Sequence, residues 1–186
     1  MDRVGSVVVD GWGPLAARCA SQLRGVGVSV RTGAHAADAA ELEVAGGAAA
    51  PAAVVLVAEV PPAPWGATPS MLAPWHAAGV PHLPLVAVDG RVVVGPLVVP
   101  GRSACLACVG DAAAADPASS SPGPLLRAGA LTLAAAVATV TVLAVLRGDV
   151  EVAGISTEIG RGGTSVTHRV WSARPGCRCL ALRRVG

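Results

Sequence analysis

The stretch Ser6–Leu23, SVVVDGWGPLAARCASQL, decides the fold that the sequence predicts. Its first residues, Ser6–Val9, form a short valine-rich run that is typical of a strand. Asp10–Gly11–Trp12–Gly13 ends this run, and Pro14–Leu23 then repeats apolar side chains at the spacing of a helix. Another valine run at Val28–Val30 predicts a second strand. A strand, a glycine turn, a helix and a strand in this order favour a parallel, doubly wound α/β sheet.

The rest of the chain continues this pattern within one predicted domain, residues 1–186. Val54–Val60 is a continuous apolar run, as expected for a parallel strand that is buried on both faces. Four further strands are predicted in two hairpins, Leu83–Val88 with Arg91–Val94 and Val150–Ile159 with Thr164–Trp171. Weak helical character covers Gly33–Ala53, and a helix is predicted over Pro69–Ala78. Residues 112–124 are rich in Ala, Ser and Pro, which predicts a flexible loop.

The composition restricts the classes of protein that this chain can belong to. The chain contains 53% hydrophobic residues but no Phe and no Tyr, so the core must be built from Val, Ala and Leu. All 14 basic residues are arginine, a pattern that is typical of a GC-rich genome, and the net charge is only +2. No basic run with interleaved aromatic residues is present, so we expect no nucleic-acid partner.

Four of the five cysteines form two close pairs, Cys105 with Cys108 and Cys177 with Cys179. Two such pairs can supply the four thiolates of a tetrahedral structural zinc site, which would tie the C-terminal hairpin to the middle of the chain. The alternatives are two disulfides or buried free thiols. The N-terminus shows no secretory signal pattern, so we expect a cytoplasmic, reducing compartment, and this favours zinc. Cys19 is predicted to be a small buried hydrophobic residue.

The segment Ala128–Leu146 contains 19 residues without a charge. This length is near the minimum for crossing a bilayer, but the segment is rich in Ala and Thr, which gives a weak drive for insertion. We therefore predict a buried helix and no membrane partner. A domain of this size has little surface to cover such a helix on all sides, so we also predict that it contacts a second copy or a related subunit.

Gly11 and Gly13 are the candidate cofactor-binding residues, because a glycine turn between a strand and a helix can hold a phosphate with backbone amides. Trp12 lies between the two glycines and Pro14 removes one amide donor, which both weaken this hypothesis. Arg31 follows the second strand, where an acid would bind a ribose hydroxyl; an arginine there suits a 2′-phosphate and leaves an NADP-dependent oxidoreductase open. The alternative is that the glycines serve only the turn.

The order of these features resembles the ThiF/MoeB-type superfamily, the adenylyltransferases related to ubiquitin-activating enzymes. The most specific stretch is Val80–Pro84, then Val94–Ser103, then Cys105 and Cys108. It resembles the cyclodehydratase-associated branch that works with azoline-forming enzymes on ribosomal peptides. The pair Cys177 and Cys179 after Pro175 and Gly176 also fits that branch. The resemblance implies a Rossmann-like sheet with helices on both faces, a structural zinc bound by the four cysteines, dimerisation, and a peptide-modifying enzyme or precursor peptide as partner.

The sequence departs from the family pattern at the residues that bind the nucleotide in active members. Active members have an acid after the second strand, an Arg and a Lys near the triphosphate, and an Asp after the next sheet strand. Here Arg31 stands at the first of these positions, no Lys is present, and Glu59 is the nearest acid to the third strand. We therefore expect a catalytically reduced partner or scaffold protein with no catalytic residue of its own. The alternative is an ATP-dependent adenylyltransferase acting on a peptide or carrier-protein carboxylate.

Two further positions carry weaker predictions. His82 lies between Pro81 and Pro84 and is predicted to be a structural histidine of a loop rather than a general base. Trp65 and Trp75 frame an apolar segment that is a candidate contact surface. The N-terminal leader-binding domain of the peptide-modifying branch is not found in these 186 residues, and an omitted segment would explain that.

Overall fold

The structure is a computed structural model that describes residues 5–58, 74–88, 90–114 and 126–181. Its centre is a seven-stranded sheet in the order β2-β1-β3-β4-β5-β6-β7. The first four strands in this order are parallel, and the pairs β4–β5, β5–β6 and β6–β7 are antiparallel. The strands are β1 (Val7–Asp10), β2 (Val30–Gly33), β3 (Ala53–Ala58), β4 (His82–Val88), β5 (Arg91–Val94), β6 (Ile155–Ile159) and β7 (Val166–Val170).

Helices cover both faces of this sheet. They are α1 (Pro14–Gly25), α2 (Ala36–Ala45), α3 (Leu106–Ala114) and α4 (Ala128–Leu146), with a short 3-10 helix at Arg178–Leu180 and a helical turn at residues 74–77. The predicted fold class, a Rossmann-like α/β sheet with helices on both faces, is therefore confirmed.

The alternation of valines along β1 explains why the sheet is buried on both sides. Val7 and Val9 point into a cluster that contains α1 and α4, whereas Val8 points into a second cluster that contains α2 and α3. Successive residues of a strand face opposite sides of a sheet, so a continuous apolar run can fill two cores at once. The same alternation along β3 places Val55 in the first cluster and Val54 in the second.

α4 forms the largest part of the first cluster. It packs against α1 and β5, and eight of its 19 residues are buried. By length and composition alone α4 could cross a membrane, and 44% of its most apolar window is buried inside the protein. The opposite side of the helix is less covered, since Val140 is 64% exposed. The segment is thus a helix that is partly buried in the core, as the sequence indicates.

Several boundaries differ from those that the sequence predicts. β2 begins at Val30 rather than Val28, because the N–H of Val28 donates to the carbonyl oxygen of Leu23 and so belongs to the turn after α1. β6 begins only at Ile155, because turn hydrogen bonds hold the residues that precede it. α3 continues to Ala114, so residues 112–114 of the predicted loop are helical, and residues 115–124 lie outside the described residues.

Two predicted surface or loop residues are in fact in the interior. Trp75 is only 2% exposed and packs in the second core cluster, so it is not part of a contact surface; Trp65 lies outside the described residues. His82 is the first residue of β4 rather than a loop residue, and it is 1% exposed. Its Nδ1 lies 3.1 Å from the carbonyl oxygen of Val80, which identifies Nδ1 as the protonated nitrogen. The structural interpretation of His82 fits this burial.

Candidate metal centre and nucleotide crevice

The two cysteine pairs meet although about 70 residues separate them in the chain. Cys105 precedes α3 and Cys108 lies in its first turn, while Cys177 and Cys179 lie at the short 3-10 helix that follows β7. Gly176 has a φ of +79°, a left-handed conformation that turns the chain back just before the second pair. The four Sγ atoms all lie within 4.8 Å of one another.

The spacing of the sulfur atoms matches a tetrahedral zinc site. Zinc–sulfur bonds of about 2.3 Å place tetrahedral sulfur atoms about 3.8 Å apart. The Sγ–Sγ distances are 3.7 Å for Cys105–Cys108, 3.8 Å for Cys105–Cys177 and 3.9 Å for Cys108–Cys179. A disulfide would need about 2.05 Å, so the four cysteines are free thiols in this structure. The residues that are present therefore fit a metal ion such as zinc.

The surroundings of the cluster hold its sulfur atoms in place and change the pKa values of two of its thiols in opposite directions. The backbone N–H of Arg174 donates to Cys108 Sγ at 3.3 Å, and the N–H of Gly101 donates to the carbonyl oxygen of Cys179. Such outer hydrogen bonds fix the ligands in position. Burial raises the pKa of the Cys179 thiol to about 12, whereas the backbone N–H of Cys179 lowers the pKa of the Cys177 thiol to about 7.

The glycine turn lies at the carboxyl ends of β1 and β3, the place where ligands bind in open α/β sheets. Gly11 is needed there for a structural reason. A Cβ atom on Gly11 would lie 2.4 Å from the carbonyl oxygen of Val57, and the φ of Gly11 is +126°. Its N–H also donates to the carbonyl oxygen of Gly33 on β2. Gly11 therefore permits β1 to approach β3 closely, and its backbone N–H is used in a hydrogen bond within the sheet.

Gly13 and its neighbours give the start of α1 a limited capacity for a phosphate. Gly13 caps the helix with a φ of +90°, Pro14 follows without an N–H, and no side chain caps the first turn. Trp12 is 67% exposed between the two glycines. The turn Gly11–Gly13 thus lies at the carboxyl ends of β1 and β3, the position that we call the crevice.

Asp10 is a site residue that the sequence analysis treated only as part of the turn. Its Oδ1 accepts a hydrogen bond from the backbone N–H of Ala37 at 3.0 Å, so the carboxylate lies at the start of α2. Burial raises the pKa of Asp10, and the N–H of Ala37 partly opposes this rise. A half-buried acid thus occupies the helix start where an anion of a ligand would otherwise bind. The sequence feature that could have identified Asp10 as a site residue is its position as an acid at the end of the first strand.

The sequence places Arg31 after the second strand, but Arg31 is the second of the four residues of β2, and it has a protein partner. Its guanidinium makes two hydrogen bonds to the Glu43 carboxylate on α2, at 2.6 Å and 2.8 Å. Hydrogen bonding to Glu43 raises the pKa of Arg31 and lowers the pKa of Glu43. A bidentate pair of this kind uses the two donors that a 2′-phosphate would need. This geometry weighs against the NADP alternative.

Comparisons with known proteins give fold relatives only. No protein-family model and no curated protein matches the sequence. Among solved structures, a heterocyclase in complex with substrate and cofactor superposes with a TM-score of 0.65 at 15% identity, covering 95% of this chain and 25% of the heterocyclase. The heterocyclase TruD gives a TM-score of 0.59 at 14% identity, with 94% and 27% coverage.

MccB from E. coli is also similar in structure. It superposes with a TM-score of 0.63 at 14% identity, covering 94% of this chain and 66% of MccB, and MccB has also been solved with ATP and with MccA. The chain thus spans about a quarter of the heterocyclases and two thirds of MccB. The resemblance that the sequence suggests is confirmed at the level of the fold.

Proposed function

We propose that this chain is a catalytically reduced partner or scaffold protein in the maturation of ribosomally synthesised peptides. The observation that carries this proposal is the charge at the crevice. Asp10 places a half-buried acid beside the glycine turn, and the Glu43 carboxylate already binds the Arg31 guanidinium. Phosphoryl and adenylyl chemistry depends on cations that position and neutralise the phosphates, and the chain contains no lysine.

Its fold relatives supply the biological setting of the proposal. Heterocyclases with bound substrate and cofactor, and MccB solved with MccA, have the same fold as this chain. We infer that this chain works beside a peptide-modifying enzyme or a precursor peptide. It would act in the cytoplasm.

Zinc has a structural role in this proposal. Cys105, Cys108, Cys177 and Cys179 would hold one ion and so join the start of α3 to the segment after β7. Four thiolate ligands complete a tetrahedral shell and leave no position for a water molecule, so the metal would not take part in a reaction.

An ATP-dependent adenylyltransferase is the second candidate function. It is favoured by the similarity to MccB, which has been solved with ATP, and by the position of the glycine turn at the crevice. Residues 59–73, which follow β3 in the chain, lie outside the described residues. A direct measurement therefore has to separate the two functions.

Calorimetric titration with ATP and magnesium is that measurement, with NADPH as a second ligand and E. coli MccB as the positive control. The scaffold function predicts no heat of binding from this chain with either nucleotide, under conditions in which MccB binds ATP. Micromolar affinity for ATP, or exchange of pyrophosphate in the presence of a candidate peptide, would contradict it. A peptide-modifying enzyme that co-purifies with the chain at a fixed stoichiometry would support it.

A further inference from the structure

The last strand of the sheet, β7, has an open edge. Within the described residues it pairs with β6 on one side and has no strand on the other. All five of its residues are exposed, including two valines, Val166 at 44% and Val170 at 74%. Unpaired edges invite another strand to add, and proteins usually shield them.

Two hydrogen bonds fix which backbone groups of β7 face outward. The N–H of Gly160 donates to the carbonyl oxygen of Ser165, and the N–H of Trp171 donates to that of Gly154. Hydrogen-bonding direction alternates along a strand. The odd-numbered residues from 165 to 171 thus face β6, and the residues that turn their N–H and C=O groups outward are Val166, His168 and Val170.

Side chains on the two faces of β7 differ in chemistry. Val166, His168 and Val170 share one face, where His168 Nδ1 lies 3.1 Å from Thr157 Oγ1. On the other face the guanidinium of Arg169 stacks 4.0 Å above the ring of Trp171. Stacking holds an arginine in place and leaves its N–H edge available for a carboxylate.

The hairpin of β6 and β7 contains more arginines than acids. Residues 155–181 contain one acid, Glu158, whose carboxylate lies 2.7 Å from Arg91 of β5. Arg161 lies before β7 and Arg169 lies within it, whereas Arg174 and Arg178 flank the cysteine cluster. A partner that lies along this edge would therefore be attracted if it carried negative charge.

We propose that β7 binds an extended acidic peptide segment, which adds to the sheet as an eighth strand. Backbone hydrogen bonds to the outward groups of Val166, His168 and Val170 would supply affinity. Apolar residues of the peptide would lie beside the two valines, and an acid would lie opposite Arg169. This proposal goes beyond the scaffold function. The edge is four strand spacings, about 19 Å, from β3, so the nucleotide titration and the present test can fail separately.

The test is fluorescence anisotropy with the full chain and a fluorescein-labelled peptide that alternates valine and glutamate over seven residues. Arg169→Glu should weaken binding at least tenfold. The control Arg24→Glu makes the same charge change on α1, which packs beside β2 at the opposite edge of the sheet, and should change binding less than twofold. His168→Pro should also abolish binding, since it removes an outward N–H and no backbone hydrogen bond to β6. Its second effect, the loss of the side-chain contact with Thr157, is controlled by His168→Ala, which keeps the outward N–H and should retain binding.

A second probe keeps the test decisive where a variant fails to fold. The same peptide with N-methylated valines retains its charge but loses the donors that pair with β7, and it should bind at least tenfold more weakly. Equal binding of this probe, or equal effects of Arg24→Glu and Arg169→Glu, would overturn the proposal. So would light scattering that shows a dimer which His168→Pro dissociates, because a second copy would then occupy the edge.

Discussion

Gly11 shows at the scale of one residue how the glycine turn is constrained. We expect Gly11→Ala to lower the free energy of unfolding by about 2–4 kcal/mol, since the new Cβ meets the Val57 carbonyl at 2.4 Å and the φ of +126° is strained for alanine. Gly25→Ala is the control, because its Cβ meets nothing within 4 Å. Urea unfolding measures both. Equal stabilities of the two variants would mean that Gly11 serves a ligand rather than the turn.

His82 links stability to pH. Burial lowers the pKa of His82 from 6.5 to about 4, so the unfolded chain binds a proton that the folded chain excludes. Its contribution is complete above pH 6.5 and decreases as the pH falls toward 4. Between pH 7 and pH 5 the free energy of unfolding should decrease by about 2 kcal/mol from this group.

The measurement for His82 is urea unfolding at both pH values, compared with His82→Gln. Other acid-sensitive groups act equally in both proteins, so the difference between their pH slopes belongs to His82. Identical slopes for His82→Gln and the parent would contradict the prediction.

At the scale of elements, the cysteine cluster joins α3 to the segment after β7. We expect one zinc per chain, and Cys179→Ser should lose it and lower the free energy of unfolding by about 3 kcal/mol or more, because metal binding contributes directly to folding. Cys19→Ala removes a buried thiol of the first core cluster and should retain the zinc. Elemental analysis and thermal unfolding with and without a chelator measure these effects.

The result that contradicts the zinc prediction is well under one zinc per chain, together with two disulfides by mass spectrometry. The alternative of disulfides would then return, and the sulfur spacing of 3.7–3.9 Å would describe only the reduced protein.

At the scale of the whole molecule, α4 gives a prediction about assembly. One side of the helix is buried against α1 and β5, while Val140 on the other side is 64% exposed. We propose that this side contacts a second copy or a related subunit, and we expect a homodimer at micromolar concentration. Val140→Glu should convert it to a monomer without loss of stability, as a charge is costly only inside an interface.

Light scattering after size-exclusion chromatography measures this change. Leu42→Glu is the matched control, since Leu42 is 74% exposed on α2, which covers the opposite face of the sheet. It should leave the dimer intact. A parent protein that is monomeric at micromolar concentration would contradict the proposed interface.

The local pattern of the sequence determined most of the fold. Valine runs identified β1 and β3, and a Gly-rich turn separated β1 from the helix that follows it. The spacing of the two cysteine pairs predicted that all four cysteines lie together in one site. These signals are local because strand and helix periodicities and turn chemistry depend on neighbouring residues. The starts of β2 and β6 depend on turn hydrogen bonds to residues three to five positions earlier in the chain, and the sequence placed these starts two to five residues early.

Only the tertiary structure decided the chemistry of the crevice. The sequence presented Arg31 as a candidate for a phosphate, but its charge is held by Glu43, twelve residues away on α2. The sequence indicated only a turn residue at Asp10, whereas the structure shows that its carboxylate accepts a hydrogen bond from the N–H of Ala37 on α2. Gly11 remains a predicted cofactor-binding residue, and only the structure showed that the Val57 carbonyl of β3 also requires a glycine there. Each of these roles depends on a contact between separate elements, and the free energy of such a contact arises only when packing brings the two elements together.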